Sequence, residues 1–370
     1  MWKRQEIQTV LRPQGNESIK QKGCQKFTEK ENLAALFCSL RIEGISVGLI
    51  RLAYDRRFDI MIKIDLITGF LGAGKTTFIK KYASYLLKQG QNIGIIENDF
   101  GAVNVDMMLL KELEGENCEL EMIAGGCDRE THRRRFKTKL IAMGMCGYDR
   151  VIVEPSGIFD VDEFFDALYE EPLDRWYEIG NVIAVVDGGL EEKLSDQAEY
   201  LLASEAASAG CVVLSRCDEV SEEQKRAVTE HLERAIKNVR CRRTFEGEIL
   251  SKDWEKLTDQ DYDRLLKCGY HSTAYEKKHF SEEKFTSLYF MNLPFTAEEL
   301  ADRAEKIMAE PECGSVFRIK GFGKNRERQW MEVNAARGKA ILRPISEGQE
   351  VLIVIGENPV KEKIEAYFAE

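Results

Sequence analysis

One short string constrains the fold of this chain more than any other feature. Residues 69–76, Gly-Phe-Leu-Gly-Ala-Gly-Lys-Thr, satisfy the pattern G-x-x-x-x-G-K-[S/T]. The string directly follows an apolar run typical of a strand, Ile62 to Thr68, and opens a segment with helical spacing. Glycines allow the backbone to curl so that several N–H groups face one anion, and the positive end of the following helix favours the same charge. The string therefore predicts a phosphate-binding loop.

Within this loop each residue has an expected task. Backbone N–H groups should cradle the phosphates, the ammonium of Lys75 should reach the β- and γ-phosphates of a nucleotide, and the Thr76 hydroxyl should bind Mg²⁺. A glycine-rich turn without a ligand is the alternative. The predicted nucleotide-binding residues of the loop are Gly69, Gly72, Ala73, Gly74, Lys75, Thr76 and Thr77.

The pattern after Met61 alternates short Ile- and Val-rich runs with helical segments. This alternation predicts βαβ units, and runs so continuously apolar are typical of parallel strands buried on both faces. The predicted fold class is α/β, a P-loop NTPase with a mainly parallel sheet covered by helices on both faces. The candidate strands are Ile62 to Thr68, Asn92 to Glu97, Arg150 to Glu154, Asn181 to Asp187 and Cys211 to Ser215.

The length of 370 residues favours more than one domain. Residues 1–60 form a leader with 11 Lys and Arg against 7 Asp and Glu. It is interpreted as a disordered tail or a translation start placed too early, with a basic targeting arm or a helical cap as alternatives. Residues 61–241 are the predicted P-loop domain and 242–282 a linker. Residues 283–370 alternate strand-like and helical segments, which predicts a small α+β domain.

Composition excludes several functional classes. The net charge of −11 argues against nucleic-acid binding, because that binding depends on Lys and Arg neutralising phosphates. The ten cysteines are scattered without a C-x-x-C pair, so reduced thiols are expected. The sequence contains no apolar run of about 18 residues that could cross a membrane. A cytoplasmic location is expected.

Carboxylates follow two of the predicted strands. Glu154 ends one strand and precedes Pro155-Ser156-Gly157, while Glu97 and Asp99 end another. Ligand sites of parallel sheets lie at the carboxyl ends of the strands, so Glu97, Asp99 and Glu154 are expected to hold Mg²⁺ with Thr76. The Gly157 N–H is expected to donate to the γ-phosphate, which makes Lys75, Glu154 and Gly157 the candidate catalytic set. Each segment alone could also be a structural cap or turn.

The residues after the fifth candidate strand, Ser215-Arg216-Cys217-Asp218, occupy the place where P-loop GTPases keep an Asn-Lys-x-Asp loop. A carboxylate at Asp218 accepts from the N1–H and the exocyclic amine of guanine, whereas adenine presents an acceptor at N1. Arg216 can lay its planar head along the base, but Ser215 is shorter than Asn. The loop predicts GTP rather than ATP, and an ordinary strand-end turn is the alternative.

These motifs, in this order and spacing, resemble the CobW family of P-loop GTPases, relatives of the UreG and HypB nickel chaperones. The resemblance covers about residues 62–370 and includes Gly125-Gly126-Cys127 and, near the C-terminus, Arg318-Ile319-Lys320-Gly321-Phe322. It implies slow GTP hydrolysis coupled to delivery of a metal or metal cofactor to a client enzyme. It also implies that a GTP-dependent homodimer forms.

The family's metal site is a Cys-x-Cys-Cys motif, and the matching string here is Cys127-Asp128-Arg129-Glu130. Two of three thiolates are therefore replaced, and a guanidinium repels a dication. A rebuilt transition-metal site, for zinc as an example, would use Cys127 with Glu130 and His132. The alternative is that Cys127 is a small buried residue and that the basic residues 133–139 form a solvated helix face or a docking patch.

Three functional hypotheses follow. The first is a GTP-dependent switch protein that assists a metalloenzyme client without a typical zinc site. The second is a P-loop kinase or another transferase, although no acceptor-binding signature is evident. The third is a nucleotide-binding interaction module with little hydrolysis, because catalysis needs an aligned water and an activating partner that sequence does not display.

Overall fold

The computed structural model describes residues 61–70, 72–99, 105–124, 129–155, 161–278 and 285–369. The predicted leader, residues 1–60, lies outside this part of the chain. Within it, two sheets are present, one with seven strands and one with five. The first sheet contains the candidate strands of the P-loop domain, and the second lies in the C-terminal region.

The seven-stranded sheet is parallel throughout and has the order β3-β2-β4-β1-β5-β6-β7. Its central strands are almost fully buried because helices cover both faces with separate apolar cores. This arrangement confirms the predicted α/β fold class. The strands are β1 Ile62–Thr68, β2 Ile93–Asp99, β3 Cys118–Ala124, β4 Arg150–Pro155, β5 Tyr177–Asp187, β6 Cys211–Ser215 and β7 Ile249–Leu250.

The helices that surround this sheet follow its strands in the chain. They are α1 Lys75–Lys88, α2 Val105–Leu110, α3 Arg129–Gly144, α4 Val161–Leu168, α5 Leu173–Trp176, α6 Asp196–Ala207, α7 Glu222–Asn238 and α8 Asp259–Leu265. Helix α7 begins with a capping box in which Ser221 and Gln224 satisfy each other's backbone N–H groups. The side chains that α1 buries include Phe78, Ile79 and Tyr82.

Strand β3 has no counterpart among the candidate strands. Its sequence, Cys-Glu-Leu-Glu-Met-Ile-Ala, alternates polar and apolar residues because β3 forms an edge of the sheet. The carboxylate of Glu121 binds Lys139 of α3 at 2.6 Å, and Glu119 accepts from the Tyr148 hydroxyl. A search for continuously apolar runs therefore misses this strand.

The C-terminal sheet is antiparallel with the order β11-β10-β9-β12-β8, and helix α9, Ala297–Ala309, packs on one face. This confirms the α+β class of the C-terminal domain. Thr296 and Glu299 form a capping box at the start of α9. The strands are β8 Phe285–Met291, β9 Ser315–Lys324, β10 Trp330–Ala336, β11 Lys339–Pro344 and β12 Val351–Glu357, and helix α10 spans Lys361–Ala366.

The segment predicted as a linker, 242–282, contains regular structure in its described part. Strand β7 pairs with β6, and a short 3₁₀ helix, Trp254–Lys256, precedes α8. Leu250 and Leu265 are buried in the core beneath α1. Much of this segment therefore packs against the parallel sheet. The domain boundaries given from the sequence stay predictions.

A charged cluster is buried beneath the sheet, at the end opposite the predicted phosphate loop. Asp65 of β1 is fully buried and pairs with the Arg150 guanidinium of β4, with Nη1 to Oδ1 at 2.6 Å. The same carboxylate accepts from the Tyr82 hydroxyl and the Asn181 backbone N–H, each at 2.8 Å. Burial and the neighbouring Asp65 charge raise the pKa of Tyr82 well above its usual value. The cluster ties α1 to three strands.

None of the helices in the described part of the chain has the length and apolar character that crossing a membrane requires.

Candidate nucleotide-binding site

The phosphate loop connects β1 to α1 with a backbone that only glycine adopts easily. Gly69, Gly72 and Gly74 have φ values of +146°, +78° and +102°. A Cβ on Gly69 would lie 2.2 Å from the Val185 carbonyl oxygen of β5, so a side chain there is excluded. Gly74 is the N-cap of α1 and has no side chain to cap it, which leaves the first N–H groups of the helix available to a ligand.

Lys75 and Thr76 start α1, and both are buried. The Lys75 ammonium donates to the Gly69 carbonyl at 2.8 Å, so it lies folded back along the loop. The Thr76 hydroxyl donates to Oε1 of Glu154 at 2.8 Å. Glu154 comes from β4, 78 positions later, so the fold brings together two residues that the sequence analysis assigned to one site. Thr77 follows them in α1 with its side chain exposed.

Glu97 and Glu154 are direct register partners on the adjacent parallel strands β2 and β4. Both are buried, with 3% and 4% of their surface exposed, so two carboxylates share a small volume behind the loop. Carboxylate and hydroxyl oxygens are the ligands that Mg²⁺ prefers, and two buried negative charges favour a cation. Asp99 ends the same strand, and only its backbone is described. Gly157 lies outside the described residues.

The loop after β6 reaches the phosphate loop through Arg216. This residue has φ +51°, a left-handed conformation that turns its side chain back, and its Nη2 donates to the Gly72 carbonyl at 3.0 Å. Ser215 ends β6 and is buried, with its Cβ 3.7 Å from a Cβ placed on Gly74. Asp218, the residue predicted to bind guanine, is exposed.

Asp187, at the end of β5, is a member of this site that sequence reasoning missed. Its carboxylate pairs with Arg216 from one side and with Arg337, which follows β10 of the C-terminal sheet, from the other. Burial, followed by the charge of Arg318, lowers the pKa of Arg216. The signal in the sequence was a strand-end carboxylate before Gly188-Gly189, but its partner lies 150 positions later in the chain.

Trp254 also borders the loop and was not predicted. Its indole carbons lie 3.3 Å from a Cβ placed on Gly74, and its ring packs against Phe78 of α1 with centroids 5.4 Å apart. An aromatic ring at the last glycine of the loop provides an apolar surface beside the start of α1.

The segment that carries Cys127 lies outside the described residues, so the prediction for Cys127 stays a prediction. Nearby, Glu130 is exposed and pairs with Arg134 at 3.0 Å, whereas His132 is buried. Among the described residues no group of three His, Cys, Asp or Glu side chains is arranged to hold a metal ion. The basic face of α3 is largely paired, because Arg133 and Lys137 bind Glu170 and Lys139 binds Glu121.

A parallel sheet, a glycine loop that opens a helix, and a Thr hydroxyl on a buried carboxylate define the class: this is a P-loop nucleotide-binding domain. Its family follows from comparison with known domains. The model of the CobW/HypB/UreG nucleotide-binding domain matches residues 63–245, which assigns this domain of the chain to that family of nucleotide-binding domains.

Similar proteins carry related names. The zinc chaperone YjiA of Escherichia coli strain K12 is 28% identical over 171 residues, which cover 44% of this chain and 52% of that protein. The zinc chaperone CobW of a Sinorhizobium species is 25% identical over 293 residues, covering 70% and 81%. The zinc-regulated GTPase metalloprotein activator 1 of Dictyostelium discoideum is 26% identical over 306 residues, covering 70% and 62%. The chain thus spans about half the length of its Escherichia coli relative.

Proposed function

We propose that this chain binds GTP with Mg²⁺, hydrolyses it slowly, and uses the nucleotide state to assist delivery of a metal or metal cofactor to a client enzyme. The observation that carries the proposal is the hydrogen bond between Thr76 and Glu154, because it unites the phosphate loop with a strand-end carboxylate at 2.8 Å. Membership of the nucleotide-binding domain in the CobW/HypB/UreG family supports the same activity.

Each residue has a task in this proposal. The Lys75 ammonium leaves the Gly69 carbonyl to bind the β- and γ-phosphates, and the first N–H groups of α1 bind the same anion. Thr76, Glu97 and Glu154 would hold Mg²⁺, and Asp99 and the Gly157 N–H complete the predicted set. A Mg²⁺ ion held there would supply positive charge to the phosphates. Glu154 orients the water that attacks.

Guanine recognition is assigned to the loop after β6. Arg216 already binds the phosphate loop at Gly72, so the base-reading segment and the phosphate-binding segment form one surface. The exposed Asp218 carboxylate accepts two hydrogen bonds from guanine and would meet an acceptor in adenine. Ser215 lacks the length of the Asn that other GTPases use, and the partly buried Trp254 ring lies on the same glycine, Gly74, as Ser215 does.

The proposed role in metal delivery rests on sequence similarity to proteins with that role in their names. Three relatives are named as zinc chaperones or as a zinc-regulated metalloprotein activator. Because Arg129 and Glu130 stand where the family's thiolates would be, we propose that this chain acts on its client without a typical Cys-x-Cys-Cys site. A nucleotide-dependent homodimer is part of the proposal, and light scattering with GDP and with a non-hydrolysable GTP analogue tests it.

Turnover assays distinguish this function from the two alternatives, a kinase and a nucleotide-binding interaction module. Phosphate release is measured for the full chain with GTP, with ATP, and with GTP plus small hydroxyl and carboxylate acceptors. Slow release from GTP alone is the expected result. Transfer to an acceptor would instead support a kinase, and tight GTP binding with no release over hours would support a nucleotide-binding interaction module.

A further inference from the structure

The aliphatic stem of an arginine from the C-terminal sheet lies against the middle of the phosphate loop. Arg318 belongs to β9, and a Cβ placed on Gly72 would lie 3.5 Å from its Cδ. The stem of Arg318 therefore contacts the loop where a side chain is missing. Its register partner on β10 is Ala336, which directly precedes Arg337. One end of the C-terminal sheet thus directs two arginines at the loop and at Asp187 beside it.

Aromatic packing fixes this approach. Phe70, the second residue of the phosphate loop, makes edge-to-face contacts with Phe285 of β8 and Phe317 of β9, each with ring centroids 5.7 Å apart. Phe317 immediately precedes Arg318 in the strand. Such buried ring pairs resist sliding because their preferred geometry is specific. The position of Arg318 beside the loop is therefore set by apolar contacts that do not depend on its own charge.

Of the three arginines near the loop, one has no carboxylate partner in the described part of the chain. Arg216 and Arg337 share the carboxylate of Asp187, whereas Arg318 pairs with none. Its Nε donates to the Asn334 side-chain oxygen at 3.3 Å, which leaves the two terminal NH₂ groups for another acceptor. A guanidinium without a carboxylate partner beside a phosphate loop favours an anionic ligand.

We propose that Arg318 binds the phosphates of the bound nucleotide, so that the C-terminal sheet forms part of the nucleotide site; the inference rests on the proposed nucleotide function. The planar guanidinium binds two phosphate oxygens at once, as Lys cannot. An arginine supplied within the same chain also stabilises the charge that phosphoryl transfer develops. Asn334 is a positioning residue that orients the guanidinium. Through Arg318, the C-terminal domain senses which phosphates are present.

The test compares Arg318→Ala and Arg318→Lys with Arg343→Ala, which removes an exposed arginine of the same sheet. Affinities of the full-length variants are measured for GMP, GDP and a non-hydrolysable GTP analogue. For Arg318→Ala the loss should grow with the number of phosphates and reach about tenfold or more for the analogue, because it removes charge-assisted hydrogen bonds. Arg318→Lys should be intermediate, and Arg343→Ala should match the unmodified protein. Single-turnover hydrolysis should fall in the same order.

The outcomes are distinguishable. If Arg318→Ala binds every nucleotide as Arg343→Ala does, or weakens all three equally with a lowered melting temperature, Arg318 is only a packing residue and the inference is wrong. If the unmodified chain binds guanine nucleotides but does not hydrolyse GTP, the hydrolytic function fails, while the affinities still decide the role of Arg318. If the unmodified chain binds no nucleotide, both proposals fail.

Discussion

The side chain of Lys75 folds back along the phosphate loop, whose ligand it is proposed to bind. Its ammonium is buried and donates to the Gly69 carbonyl, so the loop already contains the cation that phosphates would attract. Nucleotide binding exchanges this neutral carbonyl oxygen for negatively charged phosphate oxygens. Because the ammonium is charged in both arrangements, the gain is the attraction between opposite charges, which favours the bound state.

Replacing this residue gives the first prediction. Lys75→Ala should reduce GTP turnover at least about 100-fold, because it removes the cation from the phosphates, while costing only about 1 kcal/mol of stability for the lost bond to Gly69. Lys88→Ala, at the exposed end of the same helix, is the matched control. Phosphate release and chemical denaturation are measured side by side. Unchanged turnover would show that the site is elsewhere.

The sequence allowed prediction of the residues whose role is local. The glycines, Lys75 and Thr76 form a contiguous string, so their geometry follows from the string itself. Asp187, Arg318 and Arg337 could not be assigned in this way, because their contacts depend on how two sheets meet. The function of a single strand-end Asp and two arginines cannot be inferred from sequence until the contact between the two sheets is known.

At the level of elements, the parallel strands were predictable where both faces are buried. Strands β1, β4, β5 and β6 are Ile- and Val-rich for that reason. The edge strand β3 was missed because half of its residues face solvent or charged side chains of α3, which removes the continuous apolar signal. Strands that are buried on both faces could thus be predicted from continuous apolar runs, whereas a strand at the sheet edge could not.

The ion pair beneath the sheet leads to a stability prediction. Arg150→Met should lower the free energy of unfolding by about 3–5 kcal/mol, because it leaves the buried Asp65 carboxylate without its cation. Adding Asp65→Asn should recover part of this loss, since the stranded charge is then removed. Urea denaturation of the single and double variants measures both effects. A loss below about 1 kcal/mol in the single variant would contradict the structural role of the pair.

Helix α6 carries a buried acid that makes stability depend on pH. Glu205 is 1% exposed, neither carboxylate oxygen has a hydrogen-bond partner, and burial raises its pKa to about 8, against a smaller opposing effect from Lys75. The folded state therefore keeps a proton that the unfolded state loses above about pH 4.5. The stabilisation associated with this proton is complete at lower pH and decreases as pH rises toward 8.

Glu205→Gln should remove this dependence. Its unfolding free energy should fall less than that of the unmodified chain between pH 5 and pH 8, so the variant gains relative stability toward the alkaline end. Glu192→Gln, an exposed acid, is the control. Denaturant titrations at several pH values give the comparison. Parallel curves for the variant and the unmodified chain would show that Glu205 is already ionised in the fold.

At the scale of the whole molecule, the two sheets meet at the phosphate loop. The contact combines the Phe70, Phe285 and Phe317 rings with the Asp187–Arg337 ion pair, and a cavity of about 800 Å³ lies beside it. Ligand sites often lie at such meeting points between domains. Under the proposed function, a change in the loop on nucleotide binding would reach the C-terminal sheet through these contacts.

Metal binding gives a prediction for the whole protein. Because one thiolate and one carboxylate beside a fixed positive charge bind a dication weakly, zinc or cobalt titration should show no site tighter than about the micromolar range. No strong thiolate charge-transfer band should appear. The titration is run with GTP and Mg²⁺ present, against a chelating dye. Stoichiometric tight binding that disappears in Cys127→Ser would mean that the rebuilt Cys, Glu and His site exists.

The central claim, that this fold is built to recognise a guanine nucleotide, is tested most directly by equilibrium titration with GTP, ATP and xanthosine triphosphate. The unmodified chain should bind GTP at least about 100-fold more tightly than ATP, because Asp218 pairs only with a donor edge. Asp218→Asn should weaken GTP and favour xanthosine triphosphate, whose extra carbonyl accepts from the new amide. Equal affinity of the unmodified chain for GTP and ATP would contradict the account.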